Sequence, residues 1–296
     1  MRAIGSLSCA LLLCALALVP AEANASQLFT RDATQISLAV DASGRALVSY
    51  REGGSVHHVL AWGAINADPP TAGGRQVAFK LDYSGGLAAR RQQINTCQAY
   101  DGPPLHWMVA SCKASDGSYW ALQRWQRSLP DLGVAPSSVI QRSWDLRLSH
   151  WTGDLPKLWI SMDWAYRRYD HLFGSFAYGG AGVYGFRSTP QGKPLDDFGR
   201  NLYVDTFDSA YGSGWRRENS FLTHRSGGTF CYGFYPHGGR PSGHGARYRA
   251  TIIGPGVTPD AYWEGPAPGA YDATLDQQAL TLQRSLFSAD GTCKPL

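Results

Sequence analysis

Residues 139–151, VIQRSWDLRLSHW, decide how this chain is read. Trp144, Leu146 and Leu148 fall on one side of a period-two pattern, with Arg147 and Ser149 on the other. Side chains alternate across a strand, so this stretch predicts a β-strand with one face in a core.

The pattern spreads in both directions. ISLAV (36–40), the turn residues Asp41-Ala42-Ser43-Gly44 and RALVSYRE (45–52) read as a hairpin, and VHHVLAW (56–62) follows Glu52-Gly53-Gly54. RQVAFKLDY (75–83), LHWMVASCK (105–113), SYWALQRWQ (118–126) and KLWISMDWAY (157–166) continue the series. Short alternating runs separated by turn signals predict an all-β fold, an antiparallel sandwich or jelly roll. Between Gly174 and Gly245 sixteen of 72 residues are glycine, interleaved with Phe, Tyr and Trp. That aromatic density argues against disorder and for tightly turned strands and loops. One segment reads as helical. From Asp272, a plausible N-cap, Leu275, Ala279, Leu282 and Leu286 form a stripe, with Gly291 beyond its end.

At the start of the chain, MRAIGSLSCALLLCALALVPAEANA (1–25) has a positive Arg2, a short apolar stretch and an Ala23-Asn24-Ala25 cleavage site. It reads as a secretory signal peptide, too short for a lasting membrane span, which predicts a secreted protein with no membrane span. Residues 26–296 are expected to form a single β-rich domain, with a possible small subdivision near 130–138. The net charge of +4 is unchanged by loss of Arg2 and Glu22 and carries no basic tract for nucleic acid. Four cysteines stay after the signal, and in an oxidising space they predict two disulfides. The favoured pairing is Cys97–Cys112 with Cys231–Cys293.

Motifs exclude more than they assign. Gly180-Ala181-Gly182-Val183-Tyr184-Gly185 matches G-x-G-x-x-G, but no helix pattern follows it, so no dinucleotide cofactor is expected. G-x-S-x-G, H-E-x-x-H, a P-loop and metal-ligand cysteine spacing are missing, and neither a metal nor another cofactor is expected. His237 and His244, in HGGRPSGH, read as a solvated loop.

Two polar clusters remain. MDWAYRRYDHLFG (162–174) holds Asp163 and the adjacent Asp170 and His171, which suit ligand or acid–base roles. The plain alternative has Asp170 and Arg168 capping a turn, with His171 packed on Trp164. The run GRNLYVDTFDSAYGSGWRRENSFLTHR (199–225) holds Asp205, Asp208, Tyr211, Trp215, Arg217, Glu218 and Asn219. Aromatic faces beside Arg, Asn and carboxylates form a surface suited to a sugar. The expected ligand-binding residues are therefore Tyr211, Trp215, Arg217, Asn219, Asp170 and His171. The leading function is non-catalytic binding of a glycan or cell-envelope component through an aromatic and polar groove of residues 160–245.

A second reading is a glycoside hydrolase using a pair among Asp205, Asp208 and Glu218, which must lie about 5 Å apart for retention or roughly 6.5–9.5 Å for inversion. Asp205 and Asp208, three apart on a strand, would point to opposite faces. A third reading, a structural or protein-binding factor, has Glu218 paired with Arg216 or Arg217 and the aromatics in the core.

HVLAWGAIN (58–66), YDHLFG (169–174) and the 200–225 run resemble a set of secreted proteins of high-GC Gram-positive bacteria. The resemblance implies an exported bacterial origin and brings no activity or site residue with it.

Overall fold

The computed structural model describes residues 26–69, 75–84, 95–128, 142–183, 202–219, 223–224, 228–236 and 241–287. At 127, 128, 142, 219, 223 and 224 it describes the backbone alone. Gly291, Cys293, His237 and the 130–138 stretch lie outside these residues.

The first half supplies β1 (Gln27–Arg31), β2 (Thr34–Val40), β3 (Ala46–Glu52) and β4 (Ser55–Trp62). It continues with β5 (Lys80–Asp82), β6 (Met108–Lys113), β7 (Tyr119–Ser128) and β8 (Arg142–Trp151). The second half supplies β9 (Lys157–Ala165), β10 (Tyr169–Tyr178), β11 (Ala181–Gly182), β12 (Leu202–Ser209) and β13 (Gly212–Asn219). After these come β14 (Thr223–His224), β15 (Thr229–Gly233), β16 (Arg247–Ile252), β17 (Ala261–Pro266) and the helix α1 (Ala273–Phe287).

Among the described residues all pairings between strands are antiparallel, and they build four sheets. Two of these sheets, β1-β8-β7-β6 and β2-β3-β4-β5, enclose a core containing Val48, Val59, Trp120, Leu122, Leu146 and Leu148. The other two, β10 with β9, β11, β15 and β14, and β13-β12-β16-β17, enclose Leu172, Phe176, Val204, Phe230, Tyr248 and Ile252. The all-β class and the single C-terminal helix hold, with four sheets in place of the two of one simple sandwich.

Leu146 and Leu148 are buried as their alternation predicts, while Trp144 is partly exposed beneath the guanidinium of Arg124. The opposite face of β8 is not solvated. Asp145, Arg147 and Ser149 are buried there, beside Gln123 and Trp125 of β7. The segment between β16 and β17 covers this face. Trp125 Nε1 donates to Asp260 Oδ2 at 2.8 Å, and Gln123 bonds both the N–H (2.8 Å) and the carbonyl (3.2 Å) of Asp260. Ser26 Oγ donates to Asp260, and Arg147 Nη1 donates to the Ser26 carbonyl at 2.9 Å. Trp125, Tyr203 and Ile253 form a small apolar cluster beside this network. The two sheet pairs are thus joined by a hydrogen-bonded polar layer, since buried polar groups persist only when partnered.

Cys97 and Cys112 are bridged, closing a loop of 15 residues that stabilises the chain by roughly 3 kcal/mol in chain-entropy terms. Of the second expected pair, Cys231 is buried on β15 and is not a free thiol, and Cys293 lies outside the described residues.

Asp272 caps α1 as expected, its Oδ1 accepting from the N–H groups of Thr274 (2.8 Å) and Leu275 (3.0 Å). The expected stripe is only half right. Leu275 and Leu282 are exposed, and the packed face is Ala279, Gln283, Leu286 and Phe287 against Phe173 and Cys231. The helix has rotated to bury Gln283, whose Nε2 donates to Asp163 Oδ2 at 2.6 Å.

Candidate ligand-binding cleft

The hairpin joining β9 to β10 turns through Tyr166 and Arg167, closed by an Arg168 N–H bond to the Ala165 carbonyl at 3.1 Å. Both central residues have positive φ, 53° and 57°, where two-residue hairpin loops ordinarily carry Asn-Gly. β10 then runs inward, and its period of two separates the neighbours Asp170 and His171.

Asp170 points between the sheets. Its Oδ2 accepts from Tyr248 Oη and from His244 Nδ1, the latter at 2.8 Å. A carboxylate only accepts, so the His244 proton on this bond sits on Nδ1, and among the described residues Nε2 has no hydrogen-bond partner. The histidine ring is 62% exposed, whereas Asp170 is 1% exposed. Burial foremost, and then the Asp170 charge, hold the Tyr248 phenol far above its ordinary range, so it stays a donor.

Glycines 243 and 245 make this arrangement possible. A Cβ at 243 would collide with the Glu218 carboxylate, and one at 245 would lie 2.7 Å from the Phe207 carbonyl. The backbone can therefore wrap closely around these groups and present His244 outward. His244 is exposed, in keeping with its reading as part of a solvated loop, but the loop is anchored on Asp170, 74 residues away in sequence.

Over this dyad lies a cleft of about 610 Å³, bordered by Trp164, Arg167, Arg168, Ala267 and Tyr271. Trp164 is held by its Nε1–H bond to the Gly269 carbonyl (3.2 Å) and meets Tyr271 edge-on at 5.6 Å. Among the described residues no group of three His, Cys, Asp or Glu side chains is placed to hold a metal ion.

His171 does not reach the cleft. Its Nδ1 is 2.6 Å from Asp163 Oδ1, its ring stacks on Phe173, and the pair is sealed beneath α1. Neither Asp170 capping a turn nor His171 packing on Trp164 describes what these residues do.

The second cluster is dispersed. Asp205 is gripped by Arg217 Nε (2.6 Å) and Nη2 (3.2 Å) and by Arg249 Nε (2.7 Å). Glu218 is buried on the opposite face of the same sheet, accepting from Thr206 Oγ1 at 2.7 Å, so it is not the partner of Arg216 or Arg217 there. Asp208, at the register shift near the end of β12, has φ 50° and accepts from the Gly214 N–H at 2.7 Å. The three carboxylates proposed from sequence therefore do not converge.

Trp215 carries the guanidinium of Arg249 at 4.5 Å from its ring centre and that of Arg247 at 5.5 Å. Tyr211 Oη donates to the Pro241 carbonyl at 2.8 Å. Both are half-buried structural contacts. Arg217 is buried over Tyr203, 4.8 Å from its ring centre. Asn219 pairs with Val204 through its backbone. Of the residues picked from sequence, Asp170 alone lines the cleft. Trp164, Arg167, Arg168, His244 and Tyr271 are additions, and only the glycines flanking His244 signalled a close approach.

Compared with protein-family models, with curated proteins and with solved structures, the chain matches none of them. The functional reading rests on the chemistry of the cleft. Among the described residues no helix is long and apolar enough to cross a membrane, and the Cys97–Cys112 bridge is compatible with an extracellular setting.

Proposed function

We propose that this is a secreted binding protein that holds a glycan or other cell-envelope component, without catalysis, in the cleft above Asp170 and His244. The observation carrying this reading is the floor and wall of that cleft: an anchored imidazole beside the partly exposed ring of Tyr271. Aromatic faces pack on sugar rings while fixed polar groups select hydroxyls, the usual division of labour in a ligand site. The hydrolase reading asks for two carboxylates facing one substrate. Among the described residues Asp170 is the only acidic side chain lining this cleft, which favours binding over turnover.

The test is retention of the purified chain on insoluble polysaccharides and on a glycan array. Tyr271→Ala and His244→Ala are expected to lose retention, and Asp208→Asn to keep it. Equal retention by all of these variants, or none by the parent chain on any glycan, overturns the proposal.

A further inference from the structure

The charges around the cleft narrow the ligand further, on the reading that the cleft binds a glycan. Arg167 and Arg168 line it from the β9–β10 turn, and among the described residues neither forms an ion pair. Three other arginines of the second half are balanced by carboxylates. Arg217 and Arg249 are paired with Asp205, and Arg247 with Glu264 at 2.8 Å. The lining holds a single acidic group, Asp170, and its Oδ2 is already occupied by Tyr248 and His244.

The backbone adds an independent observation. Arg167 occupies a left-handed position where glycine would be relaxed, next to Tyr166 in the same condition. A side chain kept where the backbone disfavours it points to a use for that side chain. Tyr166 packs edge-on against Tyr235 at 5.9 Å, which accounts for the tyrosine but not for the arginine.

We infer that the glycan recognised here is acidic, with anionic groups received by Arg167 and Arg168 while sugar faces rest on Tyr271. Guanidinium groups bind carboxylate and phosphate through paired N–H donors, so the shared chemistry is a forked oxyanion on a polyhydroxylated chain. A uronic-acid polymer and a polyol-phosphate polymer both supply it.

The experiment is calorimetric titration of the mature chain with four probes: oligogalacturonate, its carboxyl-reduced neutral counterpart, poly(glycerol phosphate) and polyglutamate. The expected result is binding of oligogalacturonate or poly(glycerol phosphate), whichever source is correct, at least about tenfold tighter than the neutral or the polyglutamate probe. The Arg167→Gln/Arg168→Gln variant should lose about tenfold or more in affinity for the bound polymer. Arg167→Gly should also lose affinity while remaining folded by circular dichroism, which separates ligand loss from misfolding. Equal binding of the neutral probe, with the double variant unimpaired, overturns the acidic assignment and leaves the glycan cleft standing. Binding of polyglutamate as tight as that of the acidic glycans also overturns it, since charge alone then suffices. Failure of both glycan classes removes the cleft proposal together with this one.

Discussion

Trp125 and Asp260, 135 positions apart, are joined by an indole N–H bond of 2.8 Å, and the carboxylate that receives it belongs to both halves of the fold. Ser26 Oγ and the Gly254 N–H (3.0 Å) complete its donors, with Arg147 Nε at 3.9 Å. Asp260→Ala is therefore expected to cost about 3–5 kcal/mol, since it strands these donors in a buried layer. Urea unfolding checks the magnitude. Burial pushes the Asp260 carboxyl above its usual value of 3.8. A carboxyl with a raised folded pKa contributes its stability below the unfolded value and loses it as pH rises through the folded one. Asp260→Asn should thus gain on the parent chain as pH is raised from about 4 towards neutrality.

His150 should respond in the opposite sense. Its ring lies against Trp120 at 3.8 Å, and its Nδ1 is 2.6 Å from the Ala64 carbonyl. Desolvation lowers its pKa from 6.5 to about 4. A depressed histidine stabilises above its unfolded value, and that contribution is lost as pH falls from 6.5 towards 4. The loss is on the order of 3 kcal/mol. Unfolding free energies of His150→Gln across that window should be flatter with pH than those of the parent.

Asp205 is expected to behave as a structural group. Asp205→Ala leaves Arg217 buried and without the carboxylate that grips it, and should cost about 3–5 kcal/mol in chemical denaturation. Asp208→Asn, at a left-handed bulge position that Asn tolerates and still able to accept from Gly214, should stay within about 0.5 kcal/mol of the parent. Near-normal stability of Asp205→Ala, combined with lost function, would return this residue to the site.

The β9–β10 turn offers a trade between stability and binding. Relaxing its left-handed position with Arg167→Gly should raise stability by roughly 0.5–1 kcal/mol, the released strain being partly offset by added unfolded-state freedom. Thermal unfolding reads this directly, with Arg167→Ala as the control that keeps the strain.

Much of this fold is visible in local sequence. Alternation located β2, β3, β4 and β6 through β9, the Asp41 turn placed the first hairpin, and Asp272 marked the start of α1. Cys97 and Cys112 lie close enough in sequence to suggest their pairing. These features depend on backbone sterics and on neighbours a few residues away, so a short window contains their causes.

The site was not legible in the same way. Alternation could say that Asp170 and His171 face opposite sides of β10, but not which side holds a cleft. Asp170 meets His244 and Tyr248 only because β16 and the loop before it pack across from β10, and Gln283 displaces the expected helix stripe only because Asp163 waits beneath it. The burial of the polar face of β8 was hidden for the same reason, since the segment that covers it is more than a hundred positions later in the chain. By itself the sequence determined the all-β pattern, its turns and its C-terminal helix, because strand and cap preferences are local. The tertiary structure alone decided which polar residues are sealed as struts and which line a cleft, because burial depends on what distant segment arrives on each face.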